Sequence, residues 1–263
     1  MPEERINWYK NMSHVNYINI NLTVNGFDVK ARYFQEDIEK IFLPLIKTLS
    51  DMRIKKDRRI IAYLAAPPGA GKSTLSLFLA YLSENTKDTV KIQSAAMDGF
   101  HYPQEYIANH SVIINGETVP MKSVKGSPES YDLQKLTETT KLLREEKDVR
   151  WPIYDRNLHD VVPDAVLIRE DIALIEGNWL LLDETNWREL MPFCDYSIFI
   201  TAEEDMLKER LIQRKISGGT SPDKASEFYE KSDRVNIIRS LKNRSESDCE
   251  LILSENGKYI RRI

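Results

Sequence analysis

The chain lacks the features that would place it in several protein classes. Its 263 residues contain two cysteines, Cys194 and Cys249. They are too few and too isolated for a disulfide framework, and they suit a reducing compartment. The four histidines and two cysteines show no metal-ligand spacing, so no zinc site is expected. No apolar run approaches the roughly 18 residues needed to cross a bilayer, and residues 1–10 lack the apolar segment of a secretory leader. Positive charge is not in excess: 37 Lys and Arg face 41 Asp and Glu, for a net charge of -4. That argues against a basic surface for nucleic acid. The absences make a cytoplasmic location the default and leave neither a membrane nor a nucleic-acid partner expected.

What is present reads as an α/β domain. Residues 17–29 alternate polar and apolar around Asn25-Gly26, a pair that favours a tight hairpin turn. Residues 34–52 carry apolar side chains at helical spacing, from Ile38 to Leu49. Then come a buried strand over 58–66, a helix over 72–82 and a strand over 89–97. A second hairpin is expected over 111–119 around Asn115-Gly116, and is a candidate lid or dimer contact. Residues 132–146 read as a helix, 171–177 and 195–201 as strands, and 203–217 and 221–242 as helices. A closing strand pair is expected near 251–253 and Tyr259. Strands alternating with helices imply a doubly wound, mainly parallel sheet with helices on both faces. Residues 1–57 form an N-terminal hairpin and helix extension, and 58–263 the main domain. Trp151, Trp179 and Trp187 read as core, while Trp8 fits no pattern.

Chemistry concentrates in three places. Residues 66–74 run Ala-Pro-Pro-Gly-Ala-Gly-Lys-Ser-Thr, between a strand and a helix. This matches the end of the phosphate-loop pattern, with Ala66 where a first glycine is usual. Pro68, Gly69, Ala70 and Gly71 would turn the backbone so that its N–H groups face phosphate oxygens. Lys72 supplies a mobile charge, Ser73 a hydroxyl for Mg2+, and Thr74 continues into the helix, whose positive end favours an anion. Asp98 follows the next strand, where ligands of open α/β sheets bind. It could take the proton of an attacking hydroxyl, or simply open a turn before Gly99. Glu176 ends an apolar strand, where a carboxylate can hold Mg2+ directly or through water.

Together these segments resemble the phosphoribulokinase, uridine kinase and bacterial pantothenate kinase superfamily. The resemblance is carried by the loop at 66–74, Asp98-Gly-Phe-His-Tyr-Pro103, Lys125-Gly-Ser-Pro-Glu-Ser-Tyr-Asp132, Pro152-Ile-Tyr-Asp155 and Ile175-Glu-Gly177. It extends over residues 58–255 and is similar in pattern to bacterial nucleoside or sugar kinases, including fructose kinase-like chains. It implies a P-loop kinase fold that uses ATP and Mg2+, with Asp98 as catalytic base and Glu176 as a magnesium-associated acid beside Lys72. It also implies a lid near 210–225 from which Arg210 and Arg214 approach the phosphates, although Lys215, Gly218 and Gly219 stand where uridine kinases carry further arginines. The acceptor would be held by Asp98, His101, Lys125, Tyr131, Tyr154 and Arg156; Asp155 and His159 lie in the same segments, and His159 reads as a turn residue. The expected reaction moves the γ-phosphate of ATP to a hydroxyl of a small metabolite, with a sugar favoured over a nucleoside or a pantothenate-like alcohol. A homodimer is compatible with this reading. The alternative is a non-catalytic, nucleotide-binding regulatory protein on the same fold.

Overall fold

The computed structural model describes residues 17–24, 26–114 and 116–262. The leader reading of residues 1–10, Trp8, and the turn residues Asn25 and Asn115 lie outside them. The chain begins with β1 (Tyr17–Val24) and β2 (Phe27–Phe34), an antiparallel hairpin with Tyr17 opposite Phe34. A continuous helical stretch follows: α1 (Gln35–Asp37), a π turn (Ile38–Phe42) and α2 (Leu43–Lys56). Next come β3 (Ile60–Ala65), α3 (Lys72–Asn85), β4 (Ile92–Ala96) and α4 (Gln104–Asn109). The second expected hairpin is β5 (Ser111–Ile114) with β6 (Glu117–Pro120). Then follow α5 (Leu133–Glu145), β7 (Val149–Asp155), β8 (Asp160–Ile168), β9 (Ile172–Gly177) and β10 (Tyr196–Ala202). The chain closes with α6 (Glu204–Ser217), α7 (Pro222–Phe228), α8 (Arg234–Lys242), β11 (Cys249–Leu253) and β12 (Tyr259–Arg262).

The central sheet has the order β12-β11-β10-β3-β9-β4. Its pairs are parallel except β11 with β12. Parallel strands covered on both faces are apolar throughout, and every residue of β3 and β9 is buried. Alternation along these strands divides the core. Ile60, Ala62, Leu64, Ile172, Leu174 and Ile198 pack with α2 and α3. Ile61, Tyr63, Ala65, Ala173, Ile175 and Phe199 face the opposite way, with Trp151, Trp179, Trp187 and Leu136 of α5. The expected α/β architecture is thus the observed one, and the three tryptophans are core.

The N-terminal segment is built into the first of these layers. Ile18, Ala31, Tyr33, Phe42 and Leu45 belong to the same cluster as Leu75 and Phe78 of α3. Tyr33 stacks on Phe78 with ring centroids 3.9 Å apart. Asp37 accepts the Tyr259 N–H at 2.9 Å, tying this segment to the last strand.

Sequence reasoning missed the hairpin of β7 and β8. Two prolines obscure its alternation. Pro152 has no N–H to give a ladder, and the register shifts between Trp151 and Ile153. Among the described residues, no helix is long and apolar enough to cross a membrane.

Candidate active site

The site forms at the carboxyl ends of β3, β4 and β9. Residues 66–71 leave β3 and lead into α3, whose N-cap is Gly71. Gly69 and Gly71 both have positive φ, +85° and +81°, a region costly for residues with a Cβ. A Cβ on Gly69 would also sit 3.1 Å from Leu211 Cγ, because α6 packs against the loop. Ala66 is buried and is not among the positive-φ residues. The departure from the usual glycine is therefore accommodated without left-handed backbone.

Lys72, the first residue of α3, meets Glu176 at the end of β9. Lys72 Nζ lies 3.7 Å from Glu176 Oε2, and the Glu176 side chain is only 2% exposed. Burial pushes the Glu176 carboxyl up; Lys72 and the Ser73 hydroxyl oppose this, and Asp98 adds to it. Among the described residues, Oε2 has no hydrogen-bond partner. A buried carboxylate with an unsatisfied oxygen beside a serine hydroxyl is a hard oxygen donor set. These residues therefore fit a magnesium ion.

Asp98 lies in the 3-10 turn Met97–Phe100 that ends β4. Gly99 is required there, because a Cβ would lie 2.1 Å from the Pro152 carbonyl oxygen. That close approach lays β7 against the turn. Burial pushes the Asp98 carboxyl up, but Lys72, His101 and Arg156, with a hydrogen bond from Tyr131, outweigh it and hold it below its ordinary value. The Tyr131 hydroxyl donates to Asp98 Oδ1 at 3.2 Å. Burial and the Asp98 charge push the Tyr131 phenol well up, so it stays a neutral donor. His101 stacks on Tyr131 at 3.8 Å and meets Tyr154 edge-on at 5.7 Å. Its imidazole is held below its ordinary pKa, chiefly by burial. Lys125 donates to the Tyr154 hydroxyl at 2.8 Å and to Gln104 Oε1 at 2.7 Å.

Most of the expected site residues therefore converge: Lys72, Ser73, Asp98, His101, Lys125, Tyr131, Tyr154, Arg156 and Glu176. Arg214, near the end of α6, interacts electrostatically with Arg156, Asp233 and Asp98. Arg210 does not join this group. It lines a separate cavity with residues of β2 and the turn at 255–257. His159 is an exposed turn residue with φ +54°.

Sequence reasoning missed Asp233, Asn178 and Gln104. Asp233 is buried, its Oδ2 has no hydrogen-bond partner among the described residues, and its charge faces Lys215 and Arg214. Asn178, just after Glu176-Gly177, also has a buried Oδ1 without a hydrogen-bond partner among the described residues. A polar residue three before Asn236 on a buried helical face was the available signal for Asp233.

A phosphate loop after β3 of a parallel sheet, with acids at the ends of the adjacent strand β9 and of β4 beyond it, defines a P-loop kinase fold. The chain belongs to the Phosphoribulokinase / Uridine kinase family, whose model matches residues 60–246. It is 41% identical over 241 residues to the uncharacterised protein YggC of Escherichia coli (strain K12), covering 91% of this chain and 98% of that one. It is 30% identical over 201 residues to a pantothenate kinase of Histophilus somni (strain 129Pt), covering 68% of this chain and 61% of that relative, less than two thirds of its length. Among solved structures, a protein of Silicibacter sp. TM1040 provisionally designated a fructose transport system kinase superposes with a TM-score of 0.68. The two are 26% identical, with 78% of this chain and 98% of that chain covered.

Proposed function

We propose that this protein is an ATP-dependent kinase that moves the γ-phosphate to a hydroxyl of a small metabolite, with a sugar as the favoured acceptor. The observation that carries the reading is the juxtaposition of Lys72 and Glu176 at 3.7 Å, with Asp98 on the next strand end. Backbone N–H groups of residues 68–72 and the Lys72 ammonium would hold the β- and γ-phosphates. Ser73 and Glu176 would hold Mg2+, which when bound supplies charge neutralisation to the transferring phosphoryl group. Asp98, ionised at neutral pH and oriented by Tyr131, would align the acceptor hydroxyl and take its proton. Arg214 and Arg156 would offset charge from the lid side.

The acceptor side is lined by short-range polar groups: the Lys125 ammonium, the Tyr154 hydroxyl, the His101 ring and the Asp98 carboxylate. Such groups suit an acceptor with several hydroxyls. The similarity to the Silicibacter protein supports the same choice. The pantothenate kinase relative makes a pantothenate-like alcohol the second reading.

The test is ADP release with Mg-ATP across ketoses, aldoses, nucleosides and pantothenate, with Asp98→Asn as control. Turnover with one class that is lost in the control supports the kinase and names its substrate. ATP binding with no acceptor-dependent ADP from any class would favour a non-catalytic regulatory protein.

A further inference from the structure

We propose that the β1–β2 hairpin, which lies outside the family-matched residues 60–246, forms one wall of the pocket for the nucleoside end of the phosphate donor. Lys30 and Arg32 are its specificity-determining side chains. The proposal rests on the kinase reading above.

Position comes first. Helix α6 packs on the phosphate loop where Leu211 and the Leu207 carbonyl approach Gly69. Arg210, between these residues in sequence, lines a cavity of about 470 Å³. Lys30, Arg32 and Phe34 form its second side, and the turn at 255–257 its third. A nucleotide anchored by its phosphates on the loop must project its base away from the acceptor. The acceptor side is already taken by Asp98, Tyr131, His101 and Lys125. The cavity beside α6 opens away from that acceptor side, next to the helix that packs on the loop.

The hairpin is placed to act there. Alternation along β2 turns Ala31 and Tyr33 into the core and leaves Lys30 and Arg32 exposed. Stacking of Tyr33 on Phe78 fastens the hairpin to α3, the helix that begins with Lys72 and Ser73. The other end of the same hairpin reaches the reacting end of the site. Thr23, Val24 and Gly26 line a second cavity, of about 290 Å³, with Ser73 and Glu176. The hairpin thus runs alongside the loop from the cation end to the Arg210 end.

The chemistry of the cavity suits a nucleoside. The planar Arg210 guanidinium can stack on an aromatic base. Lys30 and Arg32 are donors only, and they match the ring nitrogens of a base and the oxygens of a ribose. Arg32 is steadied by the Tyr17 ring, its guanidinium carbon 4.3 Å from the ring centroid. Glu255, also on the cavity wall, supplies an acceptor for an exocyclic amine.

The test uses the full chain with Lys30→Ala and Arg32→Ala combined, titrated calorimetrically with Mg-ATP and, separately, with magnesium tripolyphosphate. Both side chains point outward, so the melting temperature should stay at the wild-type value. Affinity for ATP should fall about 10- to 100-fold, the loss of one or two charge-assisted hydrogen bonds, while tripolyphosphate binding is unchanged. Equal weakening of both ligands would place these residues on the phosphates and overturn the proposal, as would no change in either. A wild-type protein that binds neither ligand would remove the kinase reading, and this proposal with it.

Discussion

Two buried carboxylates at opposite ends of the sheet show how differently one chain uses the same group. Asp195, at the amino end of β10, is 3% exposed at its side chain, and Glu176, at the carboxyl end of β9, is 2% exposed. Asp195 is saturated: Lys56 and Arg58 donate to it at 2.6–3.0 Å, Arg144 lies 3.2 Å away, and the Ile61 N–H donates at 3.0 Å. Burial alone would raise its pKa, but these partners bring it down to about 2. Among the described residues, Glu176 has one cation at 3.7 Å and an oxygen with no partner, and its pKa is raised. The side chains are almost equally shielded from solvent although Glu176 lies deeper, and saturation is the sharper difference between them. A carboxylate whose bonds are all made contributes to stability, whereas one left short is held ready for a ligand at a cost to the fold.

The comparison can be broken most directly at Asp98, the other acid of the site. Asp98→Asn should lower turnover by roughly two to four orders of magnitude while nucleotide affinity stays nearly intact. Steady-state kinetics beside a binding titration would show it, and near-native turnover would remove Asp98 as the base.

Asp195→Asn and Glu176→Gln should then move stability in opposite directions. The first leaves the exposed Lys56 and the partly exposed Arg58 and Arg144 without their counter-ion and should cost about 1–3 kcal/mol in denaturant unfolding, less than a fully buried pair because water screens the cations. The second removes a charge that burial disfavours, so the melting temperature should rise while the magnesium requirement for turnover increases. A fall in stability for both variants would show that saturation is not the distinguishing property.

A steric prediction sits between the two ends. Gly99→Ala must push the Pro152 carbonyl away, because the added methyl has no room. It should cost about 1–3 kcal/mol and lower turnover by displacing Asp98. Unchanged unfolding would mean that the contact yields freely.

The smallest effect is the pH response of Asp195. Its folded pKa lies below its unfolded value, so its contribution is complete above about pH 4 and disappears as pH falls toward about 2. That contribution is roughly 2 kcal/mol. Unfolding titrations should therefore show a shallower acid-side loss of stability in Asp195→Asn than in the wild type. Identical acid limbs would sink the assignment.

How much was legible in the sequence follows from how local each signal is. The phosphate loop after β3, Asp98 after β4 and Glu176 at the end of β9 could be read because each is a strand end followed by a turn, written within a few residues. The hairpins expected over 17–29 and 111–119 were legible from alternation about an Asn-Gly pair, although the first extends to Phe34 and the second to Pro120. The β7–β8 hairpin was not, because Pro152 and Pro163 break the pattern that alternation relies on. The partnerships of Asp195 with Lys56, Arg58 and Arg144 were equally hidden, since those residues are far apart in sequence.

The sequence by itself determined the doubly wound sheet, the loop and its acids, because period, turn chemistry and strand-end position act over short stretches of chain. Only the tertiary structure decided which acid is saturated and which is left open. It alone set Arg210 apart from the Asp98 group and brought the N-terminal hairpin alongside the phosphate loop. Those outcomes depend on how helices and hairpins distant in sequence pack against one sheet, and burial, charge pairing and steric contact are fixed only when that packing is complete.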